Sequence, residues 1–123
     1  TGTGRYLKEK NPAVKVVAVE PKNSAVLSGG AAGAHKIQGI GANFVPEILD
    51  TNVLDEIIAV SDDDALETTK KLGKIEGFLS GISGGANLFA AIELGLRPEN
   101  KDKNIVLIIA DNGDHYLSTG VFD

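Results

Sequence analysis

The sequence predicts an α/β fold, a mainly parallel sheet flanked by helices. Three observations lead there. Four short runs are nearly continuous in β-branched and aliphatic residues: Val14–Val19, Asp55–Val60, Phe78–Ile82 and Ile105–Ala110. Such runs are typical of strands buried on both faces of a parallel sheet. Two segments of helical periodicity lie between them, and glycine-rich turns close the strands. That alternation is the pattern of βαβ units.

Taken in order, Arg5–Lys10 reads as the end of a helix, stopped by Asn11-Pro12 because proline disfavours helix in the residue before it. The opening Thr1-Gly2-Thr3-Gly4-Arg5 reads as a chain that starts partway through an element. Val14–Val19, bounded by Pro12 and Pro21, is the first strand. Residues 22–36 are small and glycine-rich, a surface loop or a short helix, and residues 37–53 are irregular around Pro46. So long an irregular stretch inside a compact domain is usually functional. After the second strand, Ser61 caps a helix running to about Gly77, with Asp64 three residues on as in a capping box and Asp62 and Asp63 complementing the dipole. Ala65, Leu66, Thr69, Leu72 and Ile75 form its core face. Phe78–Ile82 is a third strand, Ser83-Gly84-Gly85 a turn, and Ala86–Leu96 an apolar helix ended by Gly95 and Arg97-Pro98. Ile105–Ala110 is the fourth strand, and Asp111-Asn112-Gly113 turns the chain at its end.

Composition bounds the function. A chain of 123 residues, 42% hydrophobic and 24% charged, suits one globular domain with a real core. A net charge of -5 argues against a nucleic-acid surface, which needs clustered Lys and Arg. There is no cysteine, which excludes disulfides, cysteine nucleophiles and thiolate metal sites. His35 and His115 are far apart in sequence and neither sits in a ligand-spaced cluster, so no metal site is expected. No apolar run approaches the roughly 20 residues that span a bilayer.

Ligands of open parallel sheets gather beyond the C-terminal ends of the strands. Two turns fall there, Gly81–Gly85 and Asp111–Gly113. In the first, Gly84 and Gly85 would let backbone approach a ligand, and Ser83 would cap the following helix. The turn lacks the spacing of a dinucleotide fingerprint or a P-loop. The run His35–Ala42 reads as an ordinary surface turn, with His35 a structural or solvent-facing histidine. Asp111–Thr119 contains Asp, His and Ser, but no nucleophile elbow accompanies them and a hydrolase triad is not expected. Composition and spacing lead no further than an α/β module with small-molecule turns.

The same segments, in the same order, resemble the cysteine synthases (O-acetylserine sulfhydrylases): Arg5-Tyr6-Leu7-Lys8, Val17-Ala18-Val19-Glu20-Pro21, His35-Lys36-Ile37-Gln38-Gly39-Ile40-Gly41-Ala42, Phe44-Val45-Pro46, Gly81-Ile82-Ser83 and Tyr116-Leu117-Ser118-Thr119. The resemblance implies a fold-type II pyridoxal-phosphate (PLP) enzyme. Residues 1–123 would be the C-terminal half of its larger, PLP-binding domain, with the N-terminal portion and smaller domain absent. The implied reaction is a β-replacement in which sulfide displaces acetate from O-acetylserine to give cysteine. Ser83 matches the serine that hydrogen-bonds the pyridine nitrogen, where a neutral hydroxyl can donate but cannot keep the ring protonated. Gly39 and Gly41 match the loop beside cofactor and substrate. His35 and Lys36 match the active-site mouth, where the family docks the C-terminal tail of serine acetyltransferase.

The resemblance also implies a homodimer, a cytoplasmic location, and no catalytic residue among these 123, since the Schiff-base lysine and the phosphate loop belong to a preceding segment. The chain by itself is expected to be inactive. A catalytically silent binding or assembly domain of the same fold, an O-phosphoserine-using synthase and a cystathionine β-synthase are the alternatives. Gly84 stands where a second serine is common, Ala31 and Ala34 where Lys and Pro often precede His35, Ala110 where proline is common, and His115 where arginine is.

Overall fold

A computed structural model describes all 123 residues. Helix α1 spans Gly2–Lys10 and ends at Asn11, in extended conformation before Pro12. Arg5 and Lys8 on it pair with Asp50 and Asp55, tying it to the end of the long irregular segment. Strand β1, Val17–Pro21, runs parallel to strand β2, Glu56–Val60, in the register Val17↔Glu56 to Pro21↔Val60. The connection between them contains only two 3₁₀ turns, Lys22–Ser24 and Thr51–Val53. Of residues 22–36, Lys22–Ser24 form a single short 3₁₀ helix and the rest is loop.

Helix α2, Asp62–Glu76, is bounded as its sequence dictates. The Asp64 N–H donates to the Ser61 hydroxyl at 3.0 Å, and Gly77 closes the helix in the left-handed conformation at φ 70°. Its buried residues are Ala65, Thr68 and Thr69; Ile75, expected inside, is 72% exposed. Helix α3, Ile82–Gly95, lies against α2 and touches both strands. Arg97, just past its end, grips Glu56 at the start of β2 through two hydrogen bonds of 2.7 and 2.9 Å. The core joins Ile58 and Val60 of β2, Ala65 of α2, Ile82, Ala86 and Ala90 of α3, Ile37 of the connection, and Tyr116 and Val121 near the C-terminus.

The α/β class and the parallel pairing stand, but the sheet has two strands rather than four. Phe78–Ile82 is not a strand: Ser80 alone bridges, antiparallel, to Asn112, and Ile82 already belongs to α3. Ile105–Ala110 keeps the alternating burial of a strand, yet residues 104–110 make no backbone–backbone hydrogen bond. Apolar content alone does not make a strand. A neighbouring backbone must complete the ladder, and none lies beside this segment. Near the C-terminus, Gly113–Thr119 form a 3₁₀ helix.

Candidate functional site

Ser83 does not cap its helix. The cap position is Gly81, extended at φ -71° and ψ 167°, and α3 begins at Ile82, four residues earlier than its apolar run indicates. The first intrahelical bond runs from the Gly85 N–H to the Gly81 carbonyl at 3.3 Å. The amides of Ile82, Ser83 and Gly84 therefore precede the first hydrogen-bonded amide and lie at the positive end of the helix dipole. Ser83, 7% exposed, sits among them in the first turn.

Gly84 and Gly85 do not open the backbone to a ligand; both serve packing inside the chain. A Cβ on Gly85 would collide with Thr69 Oγ1 and the Ala65 carbonyl of α2. One on Gly84 would press on Ser80 Cβ and Ile109 Cγ2 at 3.1 and 3.2 Å. Gly81 is required for a third reason, because a side chain there would overlap the Asp111 carboxylate.

The loop expected beside the site meets Ser83. Gly39 adopts φ 96°, and a Cβ on it would stand 3.7 Å from Ser83 Oγ. Gly41, at φ 68°, lies behind it against the Pro21 ring and His35. Positive φ is what makes glycine the natural residue at both positions. His35 holds this loop closed: its Nε2–H donates to the Gly41 carbonyl at 2.9 Å, and its Nδ1 accepts from the Ile37 N–H at 3.2 Å. Both ring nitrogens are thus engaged within the loop, in a neutral tautomer set by the two partners. Lys36 is exposed, and its backbone N–H donates to Asp62 at the start of α2. The fold brings Ser83 and Gly39 together, places Gly41 and His35 in the wall behind, and leaves the Lys36 side chain in solvent.

Four residues named in the sequence make supporting contacts that only the fold reveals. Glu20 is 3% exposed, and its carboxylate accepts from the Leu27 N–H at 2.8 Å, the Ser28 N–H at 3.0 Å and the Ser28 hydroxyl, which fixes the loop after β1. A lone acid at the end of an apolar run, just before Pro21, was the available signal. Asp62 serves Lys36 as well as its own helix, and only the fold brings those together. Tyr116 donates to Asp111 Oδ2 at 2.7 Å, while Asp111 Oδ1 is buried without a hydrogen-bond partner. That hydrogen bond, with burial, pushes the Tyr116 phenol above its ordinary pKa. His115 and Ser118 are exposed, and neither side chain hydrogen-bonds to this pair. A cavity of about 200 Å³ under residues 41–44 includes neither Ser83 nor Gly39, and is smaller than the clefts of about 300–1,000 Å³ that hold most ligands.

Residues 1–111 match a family model described as pyridoxal-phosphate dependent enzyme. The chain is 52% identical over 122 residues to Cysteine synthase B of Campylobacter jejuni, an alignment covering 99% of this chain and 40% of that protein. Among solved structures, the cysteine synthase of Entamoeba histolytica superposes with a TM-score of 0.96 at 43% identity, over 98% of this chain and 36% of its own. The O-acetylserine dependent cystathionine beta-synthase of Helicobacter pylori superposes with a TM-score of 0.85 at 41% identity, over 98% and 39%. The chain spans about two-fifths of the length of the relatives it matches.

Proposed function

The chain belongs to the pyridoxal-phosphate dependent enzyme family, and we propose that it forms the C-terminal half of the larger domain of a cysteine synthase, in which sulfide displaces acetate from O-acetyl-L-serine. The observation that carries the proposal is the meeting of Ser83 with Gly39 at the start of α3. The residues fit the ring end of PLP. A neutral hydroxyl lies at a helix N-terminus, and beside it is Gly39, whose missing side chain leaves that hydroxyl uncovered, since a Cβ there would stand 3.7 Å from Ser83 Oγ. Ser83 would donate to the pyridine nitrogen, and Gly39 and Gly41 would shape the substrate side of the loop. When bound, PLP supplies the electron sink that lets the β-substituent leave. A serine rather than an aspartate at the ring nitrogen leaves that sink weak, which favours departure of acetate over side reactions at the α-carbon.

The identity of 44–52% to proteins named cysteine synthases supports the sulfide acceptor. The Helicobacter pylori neighbour favours a second reading, in which the same donor half meets a different thiol. A homodimer, a cytoplasmic location and docking of the serine acetyltransferase tail at His35 and Lys36 belong to the same proposal. Since both His35 nitrogens bond within the loop, Lys36 is the side chain of the two left to meet a partner. The Schiff-base lysine and phosphate loop would come from polypeptide outside these residues.

The test joins this chain to that remaining polypeptide and follows acetate release from O-acetylserine, with sulfide or homocysteine as acceptor. Cysteine formation, and slower acetate release in Ser83→Ala with full PLP content, are expected. A preference for homocysteine would replace the acceptor, and unchanged acetate release in both Ser83→Ala and Ser83→Asp would remove Ser83 from the ring. For the 123 residues alone, borohydride reduction after mixing with PLP should label no lysine stoichiometrically. One neutral hydrogen bond, worth about 1 kcal/mol, cannot offset an association cost of at least about 4 kcal/mol.

A further inference from the structure

We propose that Asp111 is the positioning residue for Ser83, its carboxylate fitted into the empty cap of α3 so that the first turn presents the serine hydroxyl at one fixed place. The inference rests on the reading of Ser83 as the donor to the ring nitrogen. Its first support is a helix end with no cap of its own. Gly81 holds the cap position without a side chain, and the Ile82, Ser83 and Gly84 amides precede the first intrahelical bond. The Asp111 carboxylate stands where a cap side chain would begin, since a Cβ on Gly81 would overlap both of its oxygens. A carboxylate is the group that a helix N-terminus favours, and here it comes from a distant part of the chain. Its Oδ1 is buried and accepts no hydrogen bond. The positive end of α3, against which it lies, offsets that loss of water.

The second support is how firmly that carboxylate is placed. The hydroxyl of Tyr116, a buried residue of the 3₁₀ helix, donates to Asp111 Oδ2 at 2.7 Å. Ser80 bridges Asn112, and the Gly113 N–H donates to the Leu79 carbonyl at 2.9 Å. The chain entering α3 is thus zipped to the chain leaving Asp111. Asp111 spends one oxygen on Tyr116 and turns the other to the start of α3.

The third support is what Ser83 lacks. Gly39 leaves its hydroxyl uncovered, because a Cβ there would stand 3.7 Å from Ser83 Oγ. The backbone of the first turn sets where that hydroxyl stands, and Asp111 braces the residue from which the turn begins.

The experiment uses the completed enzyme of the preceding test, loaded with PLP that carries an isotopically labelled ring nitrogen. The readouts are the resonance of that nitrogen and thermal melting. Loss of a donated hydrogen bond moves a pyridine nitrogen downfield, so Ser83→Ala should do so. Asp111→Asn keeps the volume but replaces one acceptor oxygen by N–H donors, which the α3 amides oppose. It should move the resonance downfield too, and add nothing further in a Ser83→Ala background, because both changes act through one hydroxyl. Tyr116→Phe loosens Asp111 without removing it; it should give a smaller shift in the same direction, and it decides the matter if Asp111→Asn does not fold. A lower melting temperature with an unmoved resonance would make Asp111 a structural residue alone and overturn the proposal. A shift by Asp111→Asn of the same size with and without Ser83 would also overturn it. A resonance unmoved by Ser83→Ala itself would instead remove the ring reading on which the proposal stands.

Discussion

Thr69 Oγ1 occupies the place where a Cβ on Gly85 would stand, so α2 and α3 touch at a point with no room for a methyl group. The hydroxyl is held there by its own bond to the Ala65 carbonyl at 2.8 Å. Gly85→Ala gains about 1 kcal/mol of helix propensity but loses about 1–3 kcal/mol to overpacking, and a net loss is expected. Gly84→Ala meets its neighbours at 3.1–3.2 Å and should be close to neutral. Urea denaturation of both variants checks the difference; equal stabilities would mean that the helices slide apart freely.

The two loop glycines should differ in the same way. A Cβ on Gly39 would make only ordinary van der Waals contact with Ser83 Oγ, at 3.7 Å, so Gly39→Ala costs mainly the left-handed backbone, about 1–2 kcal/mol. Gly41→Ala adds contacts at 2.5 Å with the Pro21 ring and 2.6 Å with His35 Nε2. It should therefore be the less stable variant by thermal melting, and should release the His35 ring, visible as a shift of its imidazole resonances. A Gly41→Ala protein as stable as Gly39→Ala would contradict this.

Acid should loosen the junction of α3 and β2. Hydrogen bonds from the Arg97 guanidinium, aided by its charge and opposed by burial, hold Glu56 below the ordinary carboxylate range. A carboxylate lowered in the folded state contributes stability that is full above its unfolded pKa of about 4.3 and fades as pH falls through the lower folded value. Glu56→Gln should flatten that part of the pH–stability curve while leaving the alkaline side unchanged. Asp50 and Asp55 are lowered too, so the relevant quantity is the difference between variant and parent. Parallel curves would show that the pair contributes nothing.

Tyr116→Phe should destabilise the chain by about 1–3 kcal/mol, because it strips Asp111 of its one hydrogen-bond donor and leaves the carboxylate unpaired beside Gly81. The raised Tyr116 pKa predicts that this stability is present at neutral pH and lost as pH rises through the folded value, above about 10. Near-ultraviolet titration in a Tyr6→Phe background checks the pKa. Phenol ionisation at or below 10 would count against the bond.

What the sequence alone determined was everything local. Ser61, Asp64 and Gly77 bound α2 because caps are chosen by the chain's own orphan amides and carbonyls, and those residues carry the remedy themselves. β1 and β2 were legible as β-branched runs, and Ser83, Gly39 and Gly41 as motif residues. Tertiary structure decided the rest. Whether Ile105–Ala110 joins a ladder depends on a partner backbone, which no property of those six residues encodes. Whether Gly84 and Gly85 face a ligand or a helix depends on where Thr69 and Ile109 lie, fifteen or more positions away. The meeting of Gly39 with Ser83, and of Tyr116 with Asp111, likewise follows from packing, since hydrophobic burial is non-directional and fixes neighbours only through the assembled core.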